Sequence, residues 1–359
     1  MSGPVFSAAD HAHMAAALSL ARRGLGQTAP NPAVGCVLVR DGIVLARGWT
    51  QPGGRPHAEA EALRRAGPAA RGATAYVTLE PCAHHGRTPP CAEALVAAGV
   101  ARVVAALEDP DPRVAGRGFA ILRQAGIRVD SGLLAAEARF VNEGFLLRLS
   151  AGRPLVTLKL ATSLDGRIAL ADGQSRWITG PAARAAGHLL RAEHDAVMVG
   201  IGTALADDPR LTVRLPGLAA APRRVVVDSR LRLPPGAAVL EGGGAIVLTA
   251  AAGSLAGAQC LRVAAGPGGI DLAEGLRALA SLGLTRVLVE GGGALAAGLL
   301  RAGLVDRLAV FRAGLAIGAE GRPALGPLGL ASIAEGPRFR LHLLSPLGGD
   351  VLETWTREA

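Results

Sequence analysis

Apolar and polar positions alternate with two periods along the first 150 residues. Asp10–Arg23 carries its apolar residues at helical spacing. After the loop GLGQTAPNP, the segments VGCVLV and IVLARG flank a short RDG turn, which predicts a β-hairpin. HAEAEALRRAG predicts a short helix ending at Gly67. TAYVTL then predicts a strand, CAEALVAAG a helix and ARVVAAL a further strand. Beyond a DPDP loop come the helix FAILRQAG, the strand IRVD and a last helix through Glu137–Leu149. Strand–helix alternation of this kind implies a sheet with helices on both faces.

Ala151–Pro154 is a small Gly/Pro break, after which the pattern restarts. PLVTLKLA, AVMVG, RRVVVD, AIVLTA and RVLVE are candidate strands. PAARAAGHLLRAE, DLAEGLRALASLG and the segment after VEGGG are candidate helices, and FRLHLLSPLGGDVLETWT predicts a closing hairpin. The boundary falls near Leu149–Arg153, giving two α/β domains, 1–150 and 151–359. No repeat recurs at a period of 20–50 residues.

Composition narrows the class of function. Half of the 359 residues are apolar, enough for two packed cores. The formal charge of +9 suggests an anionic partner, yet aromatic residues are only 3%, leaving few platforms for stacked bases. Phosphorylated small molecules explain the arginines equally well, and nucleic acid is not expected. No charged-then-apolar leader opens the chain and no apolar run reaches a membrane span, so a cytoplasmic enzyme with no membrane contact is expected. Four cysteines are too few for a disulfide scaffold. Among 38 basic residues Lys159 is the only lysine, and it lies in an apolar strand-like run.

The chemistry concentrates in HAE at 57–59 and PCAHHGRTPPC at 81–91. His57, Cys82 and Cys91 supply one nitrogen and two thiolates, a zinc donor set whose fourth tetrahedral position stays open for water. Glu59, two residues past the histidine, is placed to carry a proton from that water to a departing amine. His57 and Cys91 each begin a helix, where partial positive charge favours the Cys91 thiolate. A fourth ligand from His84 or His85 would close the site, but would leave Glu59 without a role. Cys36, within VGCVLV, is expected to be buried filler.

Zinc deaminases of nucleobases separate their two cysteines by two residues; here eight intervene. With APNPAVGCV, GRPHAE, TLEPCAHHGRTPPC and DPDPRVAGRG in order, the first domain resembles the bifunctional riboflavin-biosynthesis deaminase–reductases. The resemblance implies a cytidine-deaminase-like three-layer α/β/α fold, with Asn31 on the substrate ring and His84, Arg87 and Asp109 lining its cavity. The family often has a histidine before GRPHAE that helps to hold the substrate phosphate. This chain has Thr50 there, with Arg55 as a basic substitute, and Asp111 where an asparagine is common.

In the second domain TLKLATSLDGRIA, SRWITG, VGIGTALADDPRLTVR, VVVDS and VEGGG follow that family's order. The resemblance implies a dihydrofolate-reductase-like α/β fold that uses NADPH. It puts Lys159 and Glu290 at a sugar carbon that accepts hydride, with Ser175, Arg191, Leu211 and Arg214 binding substrate. It lines the NADPH site with Ala161, Trp177, Thr203, Asp207, Ser229 and the turn Gly292, Gly293 and Ala294. The preference for NADPH over NADH rests on the resemblance, although Arg230 stands beside Ser229.

The expected activity is hydrolytic deamination of a phosphorylated pyrimidine followed by NADPH-dependent reduction of its ribosyl chain, in an enzyme that is free to form a homo-oligomer. A tRNA-type nucleic-acid deaminase with a C-terminal binding domain is the competing enzyme class; the cysteine spacing and the few aromatics oppose it. A non-catalytic, zinc-stabilised nucleotide sensor would need neither Glu59 nor Lys159.

Overall fold

A computed structural model describes residues 5–84, 89–111 and 115–358. The chain divides into two compact units, Met1–Ala151 and Gly152–Ala359.

The first unit runs α1 (Ala8–Arg22), β1 (Gly35–Arg40), β2 (Ile43–Trp49), α2 (Ala58–Ala66), β3 (Thr74–Val77), α3 (Cys91–Ala98), β4 (Arg102–Ala105), α4 (Arg117–Gln124), β5 (Arg128–Ser131) and α5 (Ala135–Ser150). The spatial order is β2-β1-β3-β4-β5, antiparallel through β2, β1 and β3 and parallel from β3 to β5. Two glycines show how the layers close. A Cβ on Gly35 of β1 would lie 1.9 Å from the Ala17 carbonyl oxygen of α1, and one on Gly48 of β2 would lie 2.2 Å from that of Ala58 in α2. Gly48 pairs with Cys36, the residue after Gly35, so the two glycines face opposite sides of the sheet. α1 therefore covers one face and α2 the other, in the three layers that the alternation implied.

α1 is pinned by its capping box. Ser7 Oγ accepts from the Asp10 N–H, and the Asp10 carboxylate accepts from the Ser7 N–H. That carboxylate, 5% exposed, also accepts from Tyr76 at 2.8 Å and Arg102 at 2.7 Å. Burial works to raise its pKa, but these bonds hold it well below the usual carboxylate range.

The second unit holds a nine-stranded sheet. In spatial order its strands are Ala258–Arg262, Ala245–Thr249, Arg223–Val227, Ala196–Gly200, Arg286–Val289, Leu155–Thr162, Arg307–Ala313, Asp350–Arg357 and Phe339–Leu347. The first seven are mutually parallel and the last two form the antiparallel closing hairpin. Helices α6 (Pro181–Ala192), α7 (Ile201–Asp207), α8 (Leu272–Ser281) and α9 (Gly293–Arg301) connect or flank the strands. Two separate apolar clusters fill the interior, one around Leu158, Met198 and Leu276, the other around Val197, Val226 and Val247. Parallel strands put their C-terminal ends on one edge, where open α/β sheets bind their ligands. Among the described residues no helix is long and apolar enough to cross a membrane.

The strand Arg307–Ala313, with Arg307 and Arg312 breaking its apolar run, was not anticipated from the sequence, and neither were two shorter elements. α7 has seven residues, too few for a period to show, and Ala258–Arg262 is an edge strand with partial burial that masks its alternation.

Candidate active sites

In the first unit α2 and α3 present their N-termini to one another's neighbourhood. His57 is the N-cap of α2 and Cys91 the first residue of α3, while Cys82 lies in the loop after β3. His57 Nδ1 stands 3.6 Å from Cys82 Sγ and 3.4 Å from Cys91 Sγ, and the three donor atoms lie within 4.8 Å of one another. A tetrahedral zinc with bonds of about 2.0 Å to nitrogen and 2.3 Å to sulfur separates such donors by about 3.6 Å. The donor set therefore fits zinc both in chemistry and in spacing. The Cys91 N–H donates to Cys82 Sγ at 3.3 Å, so the helix terminus acts on Cys82. The sequence had assigned that charge to Cys91 itself. Cys91, His57 and this N–H pull the Cys82 thiol down to about 4. Glu59, 3% exposed in the first turn of α2, bonds Cys91, and burial pushes its carboxyl up to about 7. Cys36 is fully buried, and that burial holds its thiol well above the ordinary value.

Of the residues expected at the substrate, Asn31, His84 and Asp109 are described. Asn31 Nδ2 donates to the Gly54 carbonyl at 3.3 Å, and a Cβ on Gly54 would lie 1.9 Å from that nitrogen. Gly54 also has φ +82, so its lack of a side chain is what seats Asn31. His84 Nδ1 is buried with no hydrogen-bond partner among the described residues. Asp109 is buried and accepts the Asp111 N–H at 2.9 Å. Arg87 and His85 lie outside the described residues. Thr50 is occupied elsewhere: its hydroxyl accepts the Val34 N–H at 3.0 Å and is 2% exposed with its residue.

Glu80 is a residue to which the sequence reading gave no role. Its buried carboxylate accepts the N–H groups of Asp109 (3.2 Å), Gly116 (3.0 Å) and Phe119 (3.2 Å). It thereby ties the segment leading into Cys82 to the Asp109 loop and to the start of α4. Its place in the EPC triplet beside a zinc ligand was the available signal.

In the second unit three distant residues meet. Lys159 on the strand Leu155–Thr162, Arg191 on α6 and Glu290 after Arg286–Val289 form one ion cluster. Arg191 Nε and Nη2 reach the two Glu290 oxygens at 2.6 and 3.0 Å, and Lys159 Nζ lies 3.4 Å from Oε2. Burial alone would raise the Glu290 carboxyl, but Lys159 and Arg191 hold it at about 2. His188, one helical turn before Arg191, accepts the Arg214 N–H at 3.3 Å. Burial and the flanking Arg191 and Arg214 lower its pKa. Its i,i+3 spacing from Arg191 was the signal missed.

Ala161, Thr203, Asp207, Ser229 and Gly292–Ala294 all follow or end parallel strands on the C-terminal edge of the sheet. The Gly292 N–H donates to Thr203 Oγ1 at 3.0 Å, and a Cβ on Gly293 would lie 2.9 Å from the Gly326 nitrogen. The absence of a side chain at Gly293 thus lets the Ala324–Gly326 backbone pack against the turn, where the Gly326 N–H donates to the Gly293 carbonyl at 3.0 Å. Leu211 is buried, and Trp177 is 67% exposed with Arg184 stacked 4.4 Å above its ring. Ser175 lies on the same exposed segment.

Residues 7–107 match the family model for the cytidine and deoxycytidylate deaminase zinc-binding region, and residues 154–352 match that for the RibD C-terminal domain. The riboflavin biosynthesis protein RibD of Escherichia coli is 45% identical over 95% of this chain and 98% of its own. The chain belongs to the RibD family. The solved RibD of Acinetobacter baumannii is 42% identical and superposes with a TM-score of 0.89, covering 98% of this chain and 99% of its own. A Thermotoga maritima structure described as a diaminohydroxyphosphoribosylaminopyrimidine deaminase/5-amino-6-(5-phosphoribosylamino)uracil reductase is 34% identical, with a TM-score of 0.88 over 97% and 99% of the two chains. RibD membership makes this chain a deaminase and reductase of riboflavin biosynthesis, with a cytidine-deaminase-like first domain and a RibD reductase domain second. Its cofactors are zinc and NADPH, and phosphorylated small pyrimidines are its class of substrate.

Proposed function

We propose that residues 1–150 deaminate 2,5-diamino-6-ribosylamino-4(3H)-pyrimidinone 5′-phosphate and that residues 151–359 reduce the product to 5-amino-6-ribitylamino-uracil 5′-phosphate. The buried Glu59 beside the His57, Cys82 and Cys91 donors carries this reading. Zinc, when bound there, is a Lewis acid that makes a water nucleophilic near neutral pH. Glu59 takes a proton from the attacking water and delivers it to the exocyclic amine, which leaves as ammonia. Asn31 offers the ring edge both a donor and an acceptor, and His84 offers a nitrogen that has no partner among the described residues. Arg87 and Asp109 complete the cavity wall. Thr50 is committed to Val34, which favours Arg55 as the phosphate contact of that loop.

In the reductase half NADPH supplies hydride to the sugar C1′. Lys159 gives the proton that the opening ring oxygen takes up, and Glu290 orients its ammonium. Arg191 and Arg214 hold the 5′-phosphate, with Ser175 and Leu211 along the substrate. Ala161, Trp177, Thr203, Asp207, Ser229 and Gly292–Ala294 line the cofactor. The enzyme works in the cytoplasm on free nucleotides rather than on nucleic acid; the 3% aromatic content supports this.

Incubating the chain with the pyrimidine ribosyl phosphate and analysing products by mass tests the scheme. Without NADPH an amine-to-carbonyl exchange alone should appear; with NADPH the product should gain two further hydrogens. An unchanged substrate with zinc-loaded, folded protein would refute the scheme. Gly54→Ala should push Asn31 off its seat and lower deamination roughly 100-fold while zinc stays bound. Wild-type turnover in that variant would remove Asn31 from the site.

A further inference from the structure

The loop that follows α7 carries Leu211 and Arg214 through a strained stretch of backbone. Asp208 and Leu211 are non-glycine residues at φ +40 and +52, in the left-handed region. Such a backbone persists only where its surroundings hold it. The near end of the loop is held by the core. Leu211, 3% exposed, packs into the cluster of Val197, Val226 and Val247, and Asp208 Oδ1 accepts the Ala238 N–H at 2.8 Å. The far end is held by α6. Arg191 Nη1 donates to the Thr212 carbonyl at 2.8 Å, and His188 Nδ1 accepts the Arg214 N–H at 3.3 Å. Residues 188 and 191 stand three apart and so share one face of the helix.

A backbone N–H can only donate, so Nδ1 is the unprotonated ring nitrogen and Nε2 carries the proton. An imidazolium has a proton on both nitrogens and cannot accept this bond. Charges from three sides act on the ring. Burial, Arg191 on α6 and Arg214 on the loop press its pKa down; Glu290, after the strand Arg286–Val289, and the Thr212 backbone act in the opposite sense. The net shift is downward, towards the form that the bond requires.

We propose that His188 is a positioning residue of the reduction: through Nδ1 it fixes the backbone at Arg214, and with it the guanidinium that takes the substrate phosphate. The proposal rests on the reductase reading above and adds to it a residue that needs no contact with substrate. Its loss should show in how well substrate binds rather than in the hydride step, because Lys159 and Glu290 belong to other elements.

Steady-state reduction of the deaminated ribosyl phosphate by the full zinc-loaded chain, at saturating NADPH from about pH 5.5 to 8, tests this. At the upper end His188→Ala should raise KM roughly 10-fold and move kcat by no more than about threefold. His188→Asn places an amide oxygen near the position of Nδ1 and should recover most of that loss. Every form should bind less well in acid, since the phosphate itself takes up a proton near pH 6. Wild type should lose affinity more steeply than His188→Asn as pH falls, because only the imidazole gives up its acceptor there. An unchanged KM in His188→Ala, or a loss confined to kcat, would overturn the positioning role. So would a wild type that gains on His188→Asn in acid, which is the behaviour of an imidazolium bound to the phosphate. Equilibrium binding of NADPH is the folding control. Its loss in both variants would assign His188 to the fold of the domain instead; if the alanine variant alone loses it, the pH profile of His188→Asn decides. Wild-type protein that oxidises no NADPH on this substrate would overturn the reductase reading itself.

Discussion

Glu59→Gln should keep one zinc per chain and release ammonia roughly 10²–10⁴-fold more slowly. The amide preserves the size of the buried side chain and its reach to Cys91, while losing the ability to carry a proton. The three donors belong to other residues, so metal content by elemental analysis should not fall. Oxidation of NADPH on an already deaminated substrate serves as the folding control and should persist. A variant that deaminates at the wild-type rate would show that the proton travels by another route. One that loses its zinc would show that Glu59 acts by supporting the metal site.

Glu290→Gln should have the second large effect, on both stability and reduction. Glu290 is the shared counter-charge of Lys159 and Arg191, and its side chain is 9% exposed. Removing it leaves two cations facing one another in a partly buried site. The carboxyl is held at about 2 in the fold, against an ordinary glutamate value near 4.3, which corresponds to about 3 kcal/mol. Because the folded value is the lower one, this contribution is complete above about pH 4. It is lost as pH falls towards 2. Denaturant midpoints of wild type and variant should therefore differ most at neutral pH and converge in acid. Reduction should drop roughly 100-fold or more, since the ammonium loses the partner that orients it. A stability gap that does not narrow on acidification would mean that Glu290 is not the charged partner of this cluster.

The two sites were legible to different degrees. His57, Glu59, Cys82 and Cys91 lie within 35 residues on two helix starts and a connecting loop, so their spacing carries the geometry. The ion cluster could not be found in that way. Lys159 and Glu290 are 131 positions apart, and only the parallel sheet brings their strand ends to one edge. Local pattern contains no such information; composition singled out Lys159 as the only lysine, but its pairing with Glu290 came from resemblance alone. Glu80 and His188 were passed over for a related reason. Their roles consist of bonds to backbone N–H groups of remote loops, which residue type does not disclose. Most strands and the long helices followed their periods, whereas α7, the edge strand Ala258–Arg262 and the arginine-interrupted strand Arg307–Ala313 did not show theirs.

Lys159 is the only lysine in the chain and its side chain is 22% exposed beside Glu290. Apart from the terminal amine, an amine-selective reagent therefore meets one target, and that target sits at the proposed reductase centre. Acylation of this protein is in effect a single-residue footprint. The extent of labelling reports whether a ligand shields that centre, and no lysine needs to be mutated away to read it.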